Sequence, residues 1–381
     1  MSEKIAIAHD HFPQIGGAER VALKLANIFD ATIYTSYTDE NVTVDDVPVY
    51  TLFNGSILSR LIKRRGRIGT LVQKFYYQLG WSQATELAEY DIVIQSGSAP
   101  MWYVPPDDQV IVRYVHTPPR SVYSKFQDNG KSLPVSLFTL YLRAMRTHTV
   151  PYAERYVANS ELVARRIRKY WGVPTDAITV VYPPVDVTGY KPSAGKEYYV
   201  AVSRLVDHKR FKPIIKAFAN LPSKELRIVG DGPERDTLEQ QAKEHENIRF
   251  EGYVSERKKQ SLLSNAKASM YNALNEDFGI VPIESWAAGT PVIGVSDGFT
   301  QYQIQDGKTG ILFARAKTPE LTAANIQDAV RRFESEGIES TPADLHQQAK
   351  KFSSERFTKR MQQVVAEVKD EAAIKPAFLQ N

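Results

Sequence analysis

Cysteine is absent from the 381 residues, which excludes disulfides and thiolate metal sites and fits a reducing compartment. No apolar run reaches the roughly 18 residues that a membrane-spanning helix needs. The opening stretch MSEKIAIAHDHFPQ carries no long apolar segment of the signal-peptide kind and leads straight into a strand pattern, so the expected location is cytoplasmic. Two phosphate-binding signatures are missing as well. Neither G-x-G-x-x-G nor G-x-x-x-x-G-K-[ST] occurs, so the ordinary dinucleotide and P-loop readings fail. D-x-D is also absent, and no acidic pair for a phosphate-bridging divalent metal is evident. Between Asp46 and Glu86 there is no acidic residue, while Arg60, Lys63, Arg64, Arg65, Arg67 and Lys74 all fall there. Apolar residues share that stretch at mostly helical spacing, which makes residues 56–80 a basic amphipathic segment.

What is present points to two α/β domains. The length suits two ordinary cores, and 43% hydrophobic residues are enough to fill them. A net charge of +4 is too small to argue for nucleic acid. Short apolar strands alternate with amphipathic helices: KIAIAH (4–9), the helix 18–29, DIVIQSG (91–97), QVIVRYVHT (109–117), YVANS (156–160), the helix 161–172 and ITVVYPPVDV (178–187). A looser stretch, YKPSAGKE (190–197), reads as a linker. The alternation then restarts with EYYVAVSRL (197–205) and runs to TGILFA, and FSSERFTKRMQQVVAEV (352–368) is a long amphipathic helix. The expected domains are therefore 1–190 and 191–351, followed by a terminal helical segment 352–381. Each domain should be a doubly wound, Rossmann-like parallel sheet, with ligands beyond the carboxyl ends of its strands and a central cleft where the two face each other.

Four stretches at strand ends carry candidate chemistry. In HDHFPQIGGAERV, Gly16 and Gly17 stand between a strand and a helix, where backbone N–H groups suit a phosphate or merely cap the helix. In AVSRLVDHKRF, Arg204 leaves a buried strand and Lys209 precedes a helix; the two cations suit a diphosphate or form an ordinary basic loop. In NEDFGIVPIE, Glu276 and Glu284 flank Gly279, with a helix expected to start near Pro282 and Glu284 in its first turn. In RYVHTPPR, a strand carries His116 to its end. Three further patterns mislead. Asp277-Phe278-Gly279 lacks every companion motif of a kinase, GVSDG (294–298) is not at a strand–helix elbow, and VGDGPER has Arg235 where a dinucleotide fingerprint needs glycine.

Together GGAER, SRL with its following lysine, GDGPE and the E-x7-E pair resemble the retaining glycosyltransferases of the GT-B fold, glycosyltransferase family 4, over nearly the whole chain. YVHTPPR and SRLVDHKRF further resemble bacterial polysaccharide and lipopolysaccharide mannosyltransferases. The resemblance implies a metal-independent hexosyltransferase using a nucleotide sugar, with GDP-mannose the first choice and a UDP-sugar transferase or a non-catalytic sugar-nucleotide-binding protein as alternatives. It places Gly16 and Gly17 against the distal phosphate, and Arg204 and Lys209 on the diphosphate. Glu276 goes to the hexose and Glu284 to the ribose. The N–H groups of Phe278, Gly279 and Ile280 go to the phosphates, Tyr253 and Val254 near the base, and His116 opposite the reacting sugar. No cofactor and no metal are expected. The acceptor would be a glycan or a lipid-linked saccharide, and the terminal helix would cross back to the first domain. Residues 56–80 would then lie on the anionic inner face of a membrane, or simply pack on the first domain.

Overall fold

A computed structural model describes residues 3–12, 15–39, 47–52, 67–123, 133–193 and 197–378. Two compact units emerge: Met1–Pro183 with Phe357–Asn381, and Pro184–Arg356. Both are built on a wholly parallel sheet, and the architecture is that of two Rossmann-like domains.

The first unit holds β1 (Ile5–His9), β2 (Thr32–Thr35), β3 (Val49–Thr51), β4 (Ile92–Ser96), β5 (Val110–Val115), β6 (Arg155–Ala158) and β7 (Ile178–Val180), in the order β3-β2-β1-β4-β5-β6-β7. Strands β4 and β5 are buried almost throughout, without alternation, because helices cover both faces of the sheet. One face packs Val21, Leu25 and Ala26 of the helix Gly17–Phe29 against Ile7, Ile33 and Ile94. The chain's last helix, Ser354–Phe378, joins the same cluster through Phe357, Met361, Val364, Val365 and Val368, the stripe expected of a helix with one buried face. The other face is filled by Trp81, Leu87, Trp102 and Ile111.

The second unit holds β8 (Tyr198–Val202), β9 (Leu226–Val229), β10 (Ile248–Gly252), β11 (Ala266–Tyr271), β12 (Val292–Val295) and β13 (Gly310–Phe313), in the order β10-β9-β8-β11-β12-β13. Tyr199, Ile214, Phe218, Ile228, Ile293 and Ile326 form part of its core. Its two ends lie side by side: Val185 bridges Ser353 and its N–H donates to the Phe352 carbonyl at 3.0 Å.

Several elements differ from expectation. The strand expected over 178–187 is only β7, because Pro183 and Pro184 cannot continue a ladder. Strand β3 and the helices Leu133–Thr149 and Pro319–Glu336 were not expected, whereas a helix around His346 was, and it spans Pro342–Ala349. The helices Pro319–Glu336 and Pro342–Ala349 share one start signal: a Thr side chain caps each (Thr318, Thr341) and Pro follows it at the first helical position. Of the basic segment 56–80, residues 56–66 lie outside the described residues, and 67–80 belong to the helix Arg67–Ser82. No described helix is long and apolar enough to cross a membrane.

Candidate active site

In the second unit the chain order reverses between β8 and β11, the position where open parallel sheets bind ligands beyond their carboxyl ends. Arg204 and Lys209 follow β8; Glu276, Phe278, Gly279 and Ile280 follow β11.

The loop after β8 is laid on the loop after β9. Ser203 N–H donates to the Val229 carbonyl at 3.0 Å, and Leu205 N–H to that of Asp231 at 2.8 Å. The contact is so close that a Cβ on Gly230 would sit 1.9 Å from the Ser203 oxygen, and one on Gly232 2.4 Å from the Leu205 oxygen. The G-D-G that looks like a nucleotide fingerprint therefore lets the Arg204 loop settle on it. Arg204 itself is exposed.

Lys209 ends a single 3-10 turn, Asp207–Lys209, after which Arg210 takes the left-handed conformation (φ +54°). This turn is tied to the β11 loop by Leu274 N–H donating to the His208 carbonyl at 2.7 Å and Asn272 Nδ2 donating to that of Arg210 at 3.0 Å. Those bonds bring Lys209 Nζ within 2.6 Å of Glu276 Oε2, which also accepts from the Tyr271 hydroxyl at 2.9 Å. Burial, reinforced by the Glu276 charge, holds the Tyr271 hydroxyl well above its ordinary pKa, so it stays a donor. Thus two residues assigned separate ligands by the sequence, Lys209 and Glu276, form one ion pair.

The β11 loop is shaped from beneath by residues 297–299. Asn275 is left-handed (φ +50°), its N–H donates to Asp297 Oδ2 at 3.2 Å, and Phe299 N–H donates to the Glu276 carbonyl at 2.7 Å. A Cβ on Gly298 would fall 2.4 Å from the Glu276 nitrogen. The hydrolase-like G-V-S-D-G stretch is the floor under Glu276. Gly279 (φ +87°) caps the helix Ile280–Ala287, which starts two residues earlier than expected. Glu284 is consequently its fifth residue and not in the first turn, so the helix dipole does not account for it. It is only 7% exposed and pairs with Lys259 Nζ at 2.8 Å. Tyr190 adds a hydroxyl whose pKa is pushed up by burial and then by Glu284. The Phe278 ring is buried beside Phe299 and Phe352, leaving only its backbone for a ligand.

Tyr253 and Val254 follow β10, at the far edge of the sheet from Glu276; Tyr253 is 86% exposed and Val254 half-buried. No hydrogen bond or ion pair joins them to Glu284 among the described residues.

In the first unit the order reverses between β1 and β4. Gly17 opens the helix Gly17–Phe29, and Gly16 N–H donates to the Glu19 carboxylate at 3.0 Å, so one of the two expected phosphate donors already has an anion on it. His116, one residue past β5, is half-buried, and its backbone carbonyl accepts from Asn159 Nδ2 at 2.8 Å. Its Nε2 lies 2.9 Å from Ser96 Oγ, which lies 3.2 Å from His9 Nδ1. Burial lowers the pKa of His116 to about 4 and, with help from the other histidines, that of His9 to about 3. Sequence reasoning missed His9, Ser96, Lys259, Tyr271 and Tyr190. Of these only His9 and Ser96 left a signal, as the last residues of two strands that pair in parallel.

Each half of the chain matches a family of known proteins. Residues 15–188 match the family described as Glycosyltransferase Family 4, and residues 189–352 the one described as Glycosyl transferases group 1. A lipopolysaccharide core biosynthesis glycosyltransferase, LpsE of Rhizobium meliloti (strain 1021), is 32% identical over 116 residues, 30% of this chain and 34% of that one. The alpha-1,3/1,6-mannosyltransferase ALG2 of Kluyveromyces lactis is 24% identical over 356 residues, 77% of this chain and 70% of that one. The chain spans about a third to a half of the length of most of its curated relatives. Among solved structures, Anabaena Alr3699/HepE in complex with UDP superposes with a TM-score of 0.70 at 18% identity, covering 96% of this chain and 100% of that one. The two matches adjoin at residues 188 and 189 and take in every strand but β1, and the chain belongs to the glycosyltransferases of the GT-B fold.

Proposed function

We propose that this chain is a retaining, metal-independent hexosyltransferase that moves a sugar from a nucleotide sugar to a glycan or lipid-linked glycan. The observation that carries the reading is the Lys209–Glu276 pair, 2.6 Å apart at the switch point of the second sheet and beside the glycine-capped helix Ile280–Ala287. Breaking the sugar–phosphate bond leaves negative charge on the diphosphate and positive charge on the sugar. Arg204, Lys209 and the N–H groups of Phe278, Gly279 and Ile280 answer the first, and Glu276 the second. Lys209 then lies between the Glu276 carboxylate and the departing diphosphate. The acceptor oxygen bonds to the anomeric carbon on the face the diphosphate leaves, and a phosphate oxygen takes the acceptor's proton. Glu284, held by Lys259, binds the ribose hydroxyls, and Tyr253 and Val254 lie near the base. The cations Arg204 and Lys209 take the place of a metal.

GDP-mannose is the first choice of donor, supported by the similarity to ALG2. A UDP-sugar is the second, supported by the likeness to a structure holding UDP. Membrane attachment through residues 56–80 is supported by Phe75 and Leu79, 48% and 47% exposed four residues apart, and by Leu140 and Tyr141 on the helix that Gln78 reaches by its bond to Tyr141.

The deciding experiment is thermal stabilisation by GDP, UDP, ADP, GDP-mannose, UDP-glucose and NAD. A ligand at 100 times its dissociation constant adds about 2.7 kcal/mol. Stabilisation by one nucleoside diphosphate and its sugar, lost in Glu284→Ala, is expected. Silence towards every one of them would remove the donor site. Binding without turnover on any acceptor would leave a non-catalytic binding protein. Sedimentation with anionic vesicles, abolished in Phe75→Asp/Leu79→Asp, tests the membrane surface.

A further inference from the structure

Two residues at the carboxyl end of the first sheet, His9 and Ser96, have no part in the reading above. They end β1 and β4, the strands between which the chain order reverses, and pair in register. With His116 they form one line of side chains, His9 Nδ1 to Ser96 Oγ at 3.2 Å and Ser96 Oγ to His116 Nε2 at 2.9 Å.

A hydroxyl has one proton. Ser96 can donate to one ring and must then accept from the other, so the two histidine tautomers are coupled. Both rings are kept neutral by burial, so each carries a single ring proton. If Ser96 donates to His9, the His9 proton sits on Nε2, a nitrogen of a residue 1% exposed that has no hydrogen-bond partner. If His9 Nδ1–H donates to Ser96, and Ser96 donates to His116 Nε2, the group left bare at His9 is a lone pair. Orphaned buried N–H groups are rarer in proteins than under-satisfied acceptors, which favours the second arrangement.

We propose that His9 and Ser96 are positioning residues that fix His116 as its Nδ1–H tautomer, so that His116 offers a sugar bound at the carboxyl end of the first sheet a hydrogen-bond donor and not a base. That the ligand is a sugar rests on the transferase reading given above; the tautomer does not. With Nε2 filled by Ser96 and the backbone held by Asn159, Nδ1–H is the group of His116 left to a ligand among the described residues. Such a ring can bond to a sugar hydroxyl or ring oxygen. Through that nitrogen it cannot act as a base.

Nitrogen-15 NMR of the full-length, ligand-free protein reads ring protonation directly, with His116 assigned by the signals that vanish in His116→Gln. A proton-bearing Nδ1 and a bare Nε2 are expected at both His116 and His9. Ser96→Ala and His9→Phe should each let His116 relax towards the Nε2–H form. His9→Phe should also lower kcat/KM about tenfold, the worth of one well-made hydrogen bond. His9→Asn, whose amide nitrogen replaces Nδ1–H, should restore the ring state and most of the activity. An Nε2–H ring at His116 in the unsubstituted protein, or ring states unmoved by Ser96→Ala, would overturn the inference. Ring states as expected in a protein that transfers no sugar would uphold the tautomer and defeat the donor reading.

Discussion

At Glu276 one carboxylate oxygen takes two donors, the Lys209 ammonium at 2.6 Å and the Tyr271 hydroxyl at 2.9 Å. Lys209 and Glu276 are each only about one-fifth exposed, so deleting one charge strands the other. Lys209→Met is expected to cost about 1–3 kcal/mol of stability through the unpaired carboxylate. It should also lower kcat by about 10²–10³ through the lost diphosphate cation. Arg204→Ala separates these effects, because Arg204 is exposed: stability should stay within about 0.5 kcal/mol while transfer falls steeply. Calorimetry alongside steady-state kinetics reads both, and near-normal transfer by Arg204→Ala would remove it from the diphosphate site. The two histidines make a separate prediction. Their folded pKa values, about 3 and about 4, lie below the ordinary 6.5. The unfolded chain therefore binds more protons between those limits, and stability is lost as pH falls from 6.5 towards 4. Melting curves across that window should steepen in their pH dependence, and His9→Asn/His116→Asn should flatten it.

The elements that matter are loops held by glycine. A Cβ on Gly298 would meet the Glu276 backbone at 2.4 Å, and its φ of +58° disfavours any side chain. Gly307 has a similar φ of +75° and only an Arg332 side-chain tip at 3.8 Å, so Gly307→Ala is a control for backbone strain alone. Gly298→Ala should cost more than the control, about 1–3 kcal/mol, and should in addition lower kcat by displacing Glu276. Gly307→Ala should leave kcat alone. Equal kinetics in the two variants would show that Glu276 does not depend on the 297–299 floor. The glycine patterns that mimic a dinucleotide fingerprint and a nucleophile elbow thus share one physical cause, the close approach of neighbouring strand-end loops.

Across the whole molecule, the last helix decides how the first unit is closed. Met361 and Val364 are fully buried among Ile7, Leu25 and Ile33, residues more than 300 positions earlier in the chain. Met361→Ala should cost about 2–5 kcal/mol, as core truncations do. Ending the chain after Arg356 would expose that entire face, and loss of the first unit's cooperative melting is the expected outcome in calorimetry. Retention of that transition would mean the sheet's cover comes from elsewhere.

The sequence alone determined the class of the fold, because buried parallel strands and amphipathic helices are local patterns of hydrophobicity that no distant contact is needed to see. It also marked the strand ends to which the proposed function assigns chemistry, since glycines and charges punctuate those ends. Where helices begin was less legible: Gly279 and not Pro282 opens the helix of Glu284, because a left-handed backbone is invisible until the loop beneath it is in place. Pairing was decided only by tertiary structure. Lys209 meets Glu276 across 67 residues, Lys259 meets Glu284 across 25, and His9 reaches His116 through Ser96. Each pairing joins different elements of one sheet layer, and strand order is fixed by packing both sheet faces at once, a property of the assembled core that no short stretch of the chain contains.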